Sequence, residues 1–346
     1  MILLEELPIR ARVPDLEHGG WREARLLRRT CPVFGTGSRL IEGAKLTAAG
    51  VGLEELAAAT SGFCPFCAEV IEQATAPFEE GISPTGRIRH GTAWVVPNVL
   101  AYSAVSAVGV YDPARHVLGL EDFTPDLLFD AFGAMLEHAR AVRRLYPELV
   151  WSSISANYLP PSGSSLLHPH LQSSHDPVPL AAQAILESRS EAHWTTYGAN
   201  LLGELVELER AATARYAAST GPWSWVTPFA PSGFYEVWGV HEELADLVAL
   251  DDHDRRQLAA GLASVLGAYR ERGLSSFNYQ LLGAGPRGAE VGVRLLVRIV
   301  ARTPAAPWYR SDVTYFEKLG MEAMIDHTPE SFAEELRAAF GTGIGA

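Results

Sequence analysis

The chain runs through one order of segments twice. In the first pass, TAWVVPNVL and SAVSAVGVY read as two strands rich in β-branched residues. FTPDLLFDAFGAMLEHARAVRRLYP reads as a long amphipathic helix with Thr124 as its N-cap and Pro125 in its first turn, and VWSSISANY and LLHPHLQSS as two more strands. In the second pass, Trp225-Val-Thr-Pro228, GFYEVWGV, DRRQLAAGLASVLGAYRERG, a strand at Asn278-Tyr279 and VRLLVRIVA follow in the same order, with Asn278-Tyr279 echoing Asn157-Tyr158. A period this long with only two copies excludes a solenoid. The expected fold class is α+β: two packed units, each an antiparallel sheet with a long helix on it, over residues 1–190 and 191–346. The first sixty residues read as a few strands and loops followed by a short helix from Leu53 to Ala59.

The two copies are not chemically equal. The first carries His168 and His170 on its last strand, whereas the second carries Arg294 and Arg298 among aliphatic residues, so only the first is expected to do histidine chemistry. With 346 residues, 47% of them hydrophobic, the chain can bury a large core unaided. A net charge of -13, with no basic run interleaved with aromatics, argues against nucleic acid and anionic membranes as partners and favours small molecules. Lys45 and Lys318 are the only lysines, and neither stands in Gly-Lys-Ser/Thr, which excludes a P-loop. Any phosphate site must therefore be built from arginine, backbone amides, hydroxyls or a metal. The three cysteines, Cys31, Cys64 and Cys67, do not make a disulfide framework. No long apolar run or cleavable leader is visible at the N-terminus, so a cytoplasmic location is expected.

Side chains alternate along a strand, so His168, His170 and Gln172 should share one face of LLHPHLQ. The plainer alternative is a solvated edge strand, which Pro169 favours because it lacks an N–H. Asn157 lies eleven residues before His168, and the loop YLPPSGSS between them ends in Gly163, Ser164 and Ser165. Such a turn can offer amides and hydroxyls to phosphate oxygens, although proline and glycine are also ordinary loop residues. Cys64-Pro-Phe-Cys67 is a single C-x2-C, which is half of a zinc site or a redox pair. No convincing strand precedes it, so zinc leads, with His116 and His168 as the candidate partners and His90 as a spare.

Together, Asn157, the Gly163-Ser-Ser165 turn and His168-Pro-His170-Leu-Gln172 resemble the galactose-1-phosphate uridylyltransferase family, in the histidine-triad superfamily. The C-x-x-C, Val95 to Asn98, the Asp-Pro-x-x-His element at 112 to 116 and the tandem plan extend the resemblance over about residues 20 to 340. It implies tandem histidine-triad-like units and a nucleotidyltransferase that moves a nucleoside monophosphate between a nucleotide sugar and a sugar 1-phosphate. His170 would be the nucleophile and Gln172 a hydrogen-bond donor to the transferred phosphate. Asn157, Gly163, Ser164 and Ser165 would hold phosphates, and Asn98 would lie near the base or ribose. Cys64, Cys67, His116 and His168 would close around a structural zinc, and a homodimer is implied. Tyr158-Leu159-Pro160-Pro161 stands where members acting on galactose phosphate carry a basic residue and glycine, and DVTYFEKLGMEAM aligns only in type. Two alternatives therefore stand beside the transferase: a nucleotide-sugar or dinucleotide phosphorylase or hydrolase, and a catalytically silent nucleotide-binding protein.

Overall fold

The computed structural model describes residues 2–14, 18, 21–41, 53–100, 102–285, 287–304 and 311–343. The N-terminal part forms β1 (Glu5–Pro14), β2 (Trp21–Thr30), β3 (Gly37–Ile41), α1 (Leu53–Thr60) and α2 (Ile71–Ala74). The first repeat supplies β4 (Ile88–His90), β5 (Ala93–Pro97), β6 (Val105–Val110), α3 (Pro125–Leu145), β7 (Trp151–Tyr158) and β8 (His170–Asp176). Helices α4 (Ala181–Tyr197), within which residue 190 falls, and α5 (Leu201–Ala212) lead to the second repeat. That repeat holds β9 (Tyr216–Thr220), β10 (Trp223–Val226), β11 (Phe234–His241), α6 (Asp252–Glu271), β12 (Ser276–Leu282) and β13 (Leu296–Arg302). α7 (Tyr315–Lys318), β14 (Glu322–Ile325) and α8 (Pro329–Gly343) follow.

The duplication is visible in a single ten-stranded sheet of order β4-β5-β6-β8-β7-β12-β13-β11-β10-β9. Read inward from either edge, each half repeats the same order. The halves meet where β7 pairs antiparallel with β12, with Asn157 directly opposite Asn278. On one face lie α3 and α6, in contact with each other, and α8 beside α6. α3 starts as its sequence predicts, with the Thr124 hydroxyl accepting the Leu127 N–H at 3.3 Å. Gly261 lets α6 approach the sheet closely, since a Cβ there would stand 2.0 Å from the Trp225 indole.

The opposite face is covered in two places. Phe66 and Ile71 pack on Val96, Val108 and Val110 of the first half, while Val33, Phe34 and the apolar side of α5 pack on Trp238 and Leu296 of the second. The central strands between these coverings carry the site. A second sheet, β1-β2-β3-β14, draws the two ends of the chain together, because β14 runs parallel to β3. No helix among the described residues is long and apolar enough to cross a membrane.

The histidine strand departs from its sequence reading at its start. It begins at His170, not before His168, and the alternative of a solvated edge strand is excluded, since it lies inside the sheet between β6 and β7. Pro169 is accommodated because it precedes the ladder, where its missing N–H costs nothing and its carbonyl still accepts the Tyr111 N–H at 3.3 Å.

Candidate functional site

Cys64 and Cys67 sit in the turn that follows α1, His116 in the turn after β6, and His168 just ahead of β8. Their ligand atoms all lie within 4.8 Å of one another. His168 Nδ1 stands 3.4 Å from Cys64 Sγ and 3.6 Å from Cys67 Sγ, and His116 Nδ1 stands 3.4 Å from Cys67 Sγ. Donors at zinc bond lengths of about 2.0–2.3 Å in a tetrahedron are roughly 3.3–3.8 Å apart, so this spacing fits such an ion. The tautomers fit as well. His168 Nε2–H donates to the Asp112 carbonyl at 3.0 Å. The Thr60 hydroxyl donates to Leu56 O, and its oxygen accepts His116 Nε2–H at 2.9 Å. Both imidazoles thus keep Nδ1 as a lone pair turned toward the thiols. Burial holds His168 down to about 4, which keeps it neutral. Burial, then the neighbouring Cys64 thiol, pushes the Cys67 thiol up to about 12. Four protein donors leave no open position, so a metal here would be structural. His90 is not part of this set; its ring lies 6.1 Å from Phe129 on the helix side of the sheet.

His170 and Gln172 pair with Val110 and Val108 of β6, and Gln172 also pairs with Ser155 of β7. Asn157, one residue past the Ala156–Leu171 pair, falls beside His170. His170 and Gln172 therefore share the face away from α3, as alternation predicts. His170 Nδ1–H donates to the His168 carbonyl at 2.8 Å, which leaves Nε2 as its lone pair, and the Phe66 ring packs 5.5 Å away. Burial lowers the pKa of His170, so the imidazole is neutral and its Nε2 available. The Gln172 side-chain amide makes no hydrogen bond among the described residues.

The loop from Leu159 to Ser165 is more self-contained than its sequence suggests. The Gly163 N–H donates to Pro160 O at 2.9 Å and the Ser164 N–H to Leu159 O at 3.4 Å, while the Ser164 hydroxyl donates to Leu166 O at 2.6 Å. Two amides expected to face phosphate are thus engaged within the loop. Gly163 is needed for its φ of 90°, and Ser165 is left as the residue with no internal partner. Asn98 lies apart, at the end of β5. It lines a cleft of about 450 Å³ with Phe78, Val99, Leu100 and Tyr146, and its Nδ2 is buried without a partner.

Sequence reasoning missed three residues that complete the neighbourhood. Asn278 donates through Nδ2 to Asn157 Oδ1 at 2.5 Å and to the Ser162 carbonyl at 2.9 Å. Arg302 donates to Asn278 Oδ1 at 2.7 Å and forms a two-pronged ion pair with Asp312. The available signal was the Asn-Tyr echo itself, which marked Asn278 as a repeat position but not as a neighbour of Asn157.

Counted from the paired asparagines, Val300 stands in the second half where His170 stands in the first, and Arg298 where His168 stands. Over that place sits the turn Cys31-Pro-Val-Phe34, where the first half has Cys64-Pro-Phe-Cys67. Arg298 pairs with buried Glu236 at 2.7 Å and lies 4.4 Å from the Phe34 ring centroid, and Phe34 meets Trp238 edge-on at 5.6 Å.

Comparison with known proteins places these features. An uncharacterized protein of Archaeoglobus fulgidus is 33% identical over 279 residues, 80% of this chain and 82% of that one. The fold matches that of a GalT-like protein from Arabidopsis thaliana, with a TM-score of 0.69 and 17% identity over 90% of this chain and 98% of that one. It also matches an ADP-glucose phosphorylase from Arabidopsis thaliana with bound ADP-glucose (TM-score 0.68, 17% identity, 90% and 98% covered) and a uridylyltransferase (0.64, 20%, 91% and 98%). No protein-family profile matches the chain.

Proposed function

Because the chain belongs to one family with the Archaeoglobus fulgidus protein and has the fold of the galactose-1-phosphate uridylyltransferase type, we propose that it is a nucleotidyltransferase acting through His170. The observation that carries the reading is the tautomer of His170, whose Nδ1–H is held by the His168 carbonyl so that Nε2 keeps its lone pair for attack. In the first step Nε2 attacks the α-phosphorus of a nucleotide sugar. The bond from that phosphorus to the bridging oxygen breaks, and a sugar 1-phosphate leaves with the electron pair. In the second, a phosphate oxygen of the acceptor attacks the same phosphorus, the P–N bond breaks, and neutral His170 returns. Both leaving groups need no proton, so the site requires donors to the equatorial oxygens rather than an acid. Gln172, Asn157 and Ser165 would supply those donors, while the amides of Gly163 and Ser164 close the loop on itself.

Zinc in the Cys64, Cys67, His116 and His168 set would tie the cysteine turn to the start of β8 and so fix the carbonyl that orients His170. A second reading, phosphorolysis with inorganic phosphate as acceptor, is favoured by Leu159-Pro160-Pro161, which offers no cation to a bulky sugar phosphate.

The test is incubation with nucleotide sugars labelled at the α-phosphate and no acceptor. Label that is lost in acid, survives in base and maps to His170 supports the mechanism; His170→Asn should fold and take none. Label elsewhere, or turnover by His170→Asn near the wild-type rate, would overturn it. Chasing the labelled protein with sugar 1-phosphate or with inorganic phosphate then separates the two acceptors.

A further inference from the structure

The repeat that lost its histidines still reaches the site through one side chain. Asp312 holds Arg302 through both oxygens, at 2.5 and 2.6 Å, and the pair is largely buried. A guanidinium has donors only, so the Asn278 oxygen must face Arg302 and the Asn278 Nδ2 must face away from it, toward Asn157 Oδ1 and the Ser162 carbonyl. That choice propagates: with its oxygen accepting from Asn278, Asn157 can present only its Nδ2 to whatever lies beside His170. The Ser162 bond pins the loop that carries Gly163 to Ser165 by the same group. An amide left alone turns over freely, and the wrong face would offer an oxygen to an anionic phosphate.

We infer that Asn278 is a positioning residue that sets the polarity of Asn157, so that the second repeat, through Arg302, orients a phosphate donor in the first. The inference rests on the nucleotidyl-transfer reading for its consequence but on the hydrogen-bond chain for its content. It makes the shape-conserving substitution the worse one. Asn278→Asp keeps volume and the Arg302 contact but presents oxygen to Asn157, which must turn its Nδ2 inward. Asn278→Ala merely frees Asn157 to adopt either face.

The experiment measures the rate of His170 labelling by nucleotide sugar in wild type, Asn278→Ala, Asn278→Asp and the same two changes in an Asn157→Ala background, with thermal melting as the check on folding. A freed Asn157 still turns its donor inward about half the time, so Asn278→Ala is expected to slow labelling only a fewfold, whereas Asn278→Asp, which loses an oriented donor to a charged group, should slow it roughly a hundredfold. In the Asn157→Ala background most of the gap between the two should close, leaving only what the lost Ser162 bond and the carboxylate facing that carbonyl contribute. An aspartate variant as fast as the alanine variant, or a difference that persists undiminished without Asn157, overturns the inference. Should Asn278→Asp not fold, the alanine change decides alone: its loss should be clearly smaller once Asn157 is gone, the remainder belonging to the Ser162 bond, and fully additive losses overturn the inference. If wild type takes no label from any donor, the transfer reading fails by itself. The polarity is then decided by a neutron structure of deuterated Asn278→Asp, in which the deuterons of Asn157 Nδ2 must point at the new carboxylate; an unturned Asn157 refutes it.

Discussion

Strand β8 has a second pair of functional groups on its hidden face, and acid should act through it. Ser173 and His175 point from β8 toward α3, where the ring of His138 lies 5.2 Å from that of His175. Each Nδ1 meets a serine, His175 with Ser152 at 2.9 Å and His138 with Ser173 at 3.4 Å, while both Nε2 atoms are buried without a partner. Burial, then the nearby His175, holds His138 down to about 3, and burial, then Arg143, holds His175 down to about 4, against an ordinary 6.5. Below pH 6.5 the unfolded chain takes up a proton on each of these histidines and the folded chain does not. The stability they contribute is therefore present above that pH and is lost as pH falls toward 4 and then 3. At pH 5, one and a half pH units below the unfolded value, the loss is about 2 kcal/mol per histidine and about 4 kcal/mol for the pair. The assay is urea unfolding at pH 7.5 and 5.0 for wild type and for His138→Asn/His175→Asn, which keeps a polar atom near each serine. Wild type should lose about 4 kcal/mol more between the two pH values than the double variant. Equal losses in the two proteins would refute the argument, because every other titrating group is common to both.

Three other outcomes are expected. Purified protein should carry about one zinc per chain; Cys64→Ser should lose it together with thermal stability, and Thr60→Val, which removes the acceptor for His116 Nε2–H, should weaken metal binding about 10–100-fold in competition with a chromophoric chelator. Phe66→Ala should cost about 3–5 kcal/mol in urea unfolding, and should slow His170 labelling because the ring packs against both His168 and His170. Gly261→Ala should destabilise by about 1–3 kcal/mol or more by the same assay while leaving metal content unchanged, since the added methyl meets the Trp225 indole and not the site.

Much of this architecture can be read from residue order because it is local. Thr124 and Pro125 announce α3, and the spacing from Asn157 to Gln172 encloses one strand, one loop and the start of the next. The Cys64, Cys67, His116 and His168 set gathers as its residue types suggest. What could not be read is what depends on pairings distant in sequence. β2 has only one buried residue among its ten positions, so it carries no alternation to betray it, and its sheet is completed by β14 from some three hundred residues away. The pairing that brings Asn278 to Asn157 is between strands of different repeats. That the amides of Gly163 and Ser164 close on the loop's own carbonyls is a matter of φ and ψ rather than composition, so residue types alone do not show it.

The two cysteine turns give the halves of the sheet different vulnerabilities. On the second half, the turn at Cys31 to Phe34 is held by an ion pair and stacked rings, all supplied by the chain itself. On the first half, the turn at Cys64 to Cys67 is lined by four converging donors that could hold a metal ion, so on the zinc reading its closure depends on something supplied from outside. A cell short of zinc, or a chelator added to the buffer, would therefore act on one half only. In the proposed mechanism that half contains the nucleophile, so activity should fade while the second half, and most of the fold, is still standing.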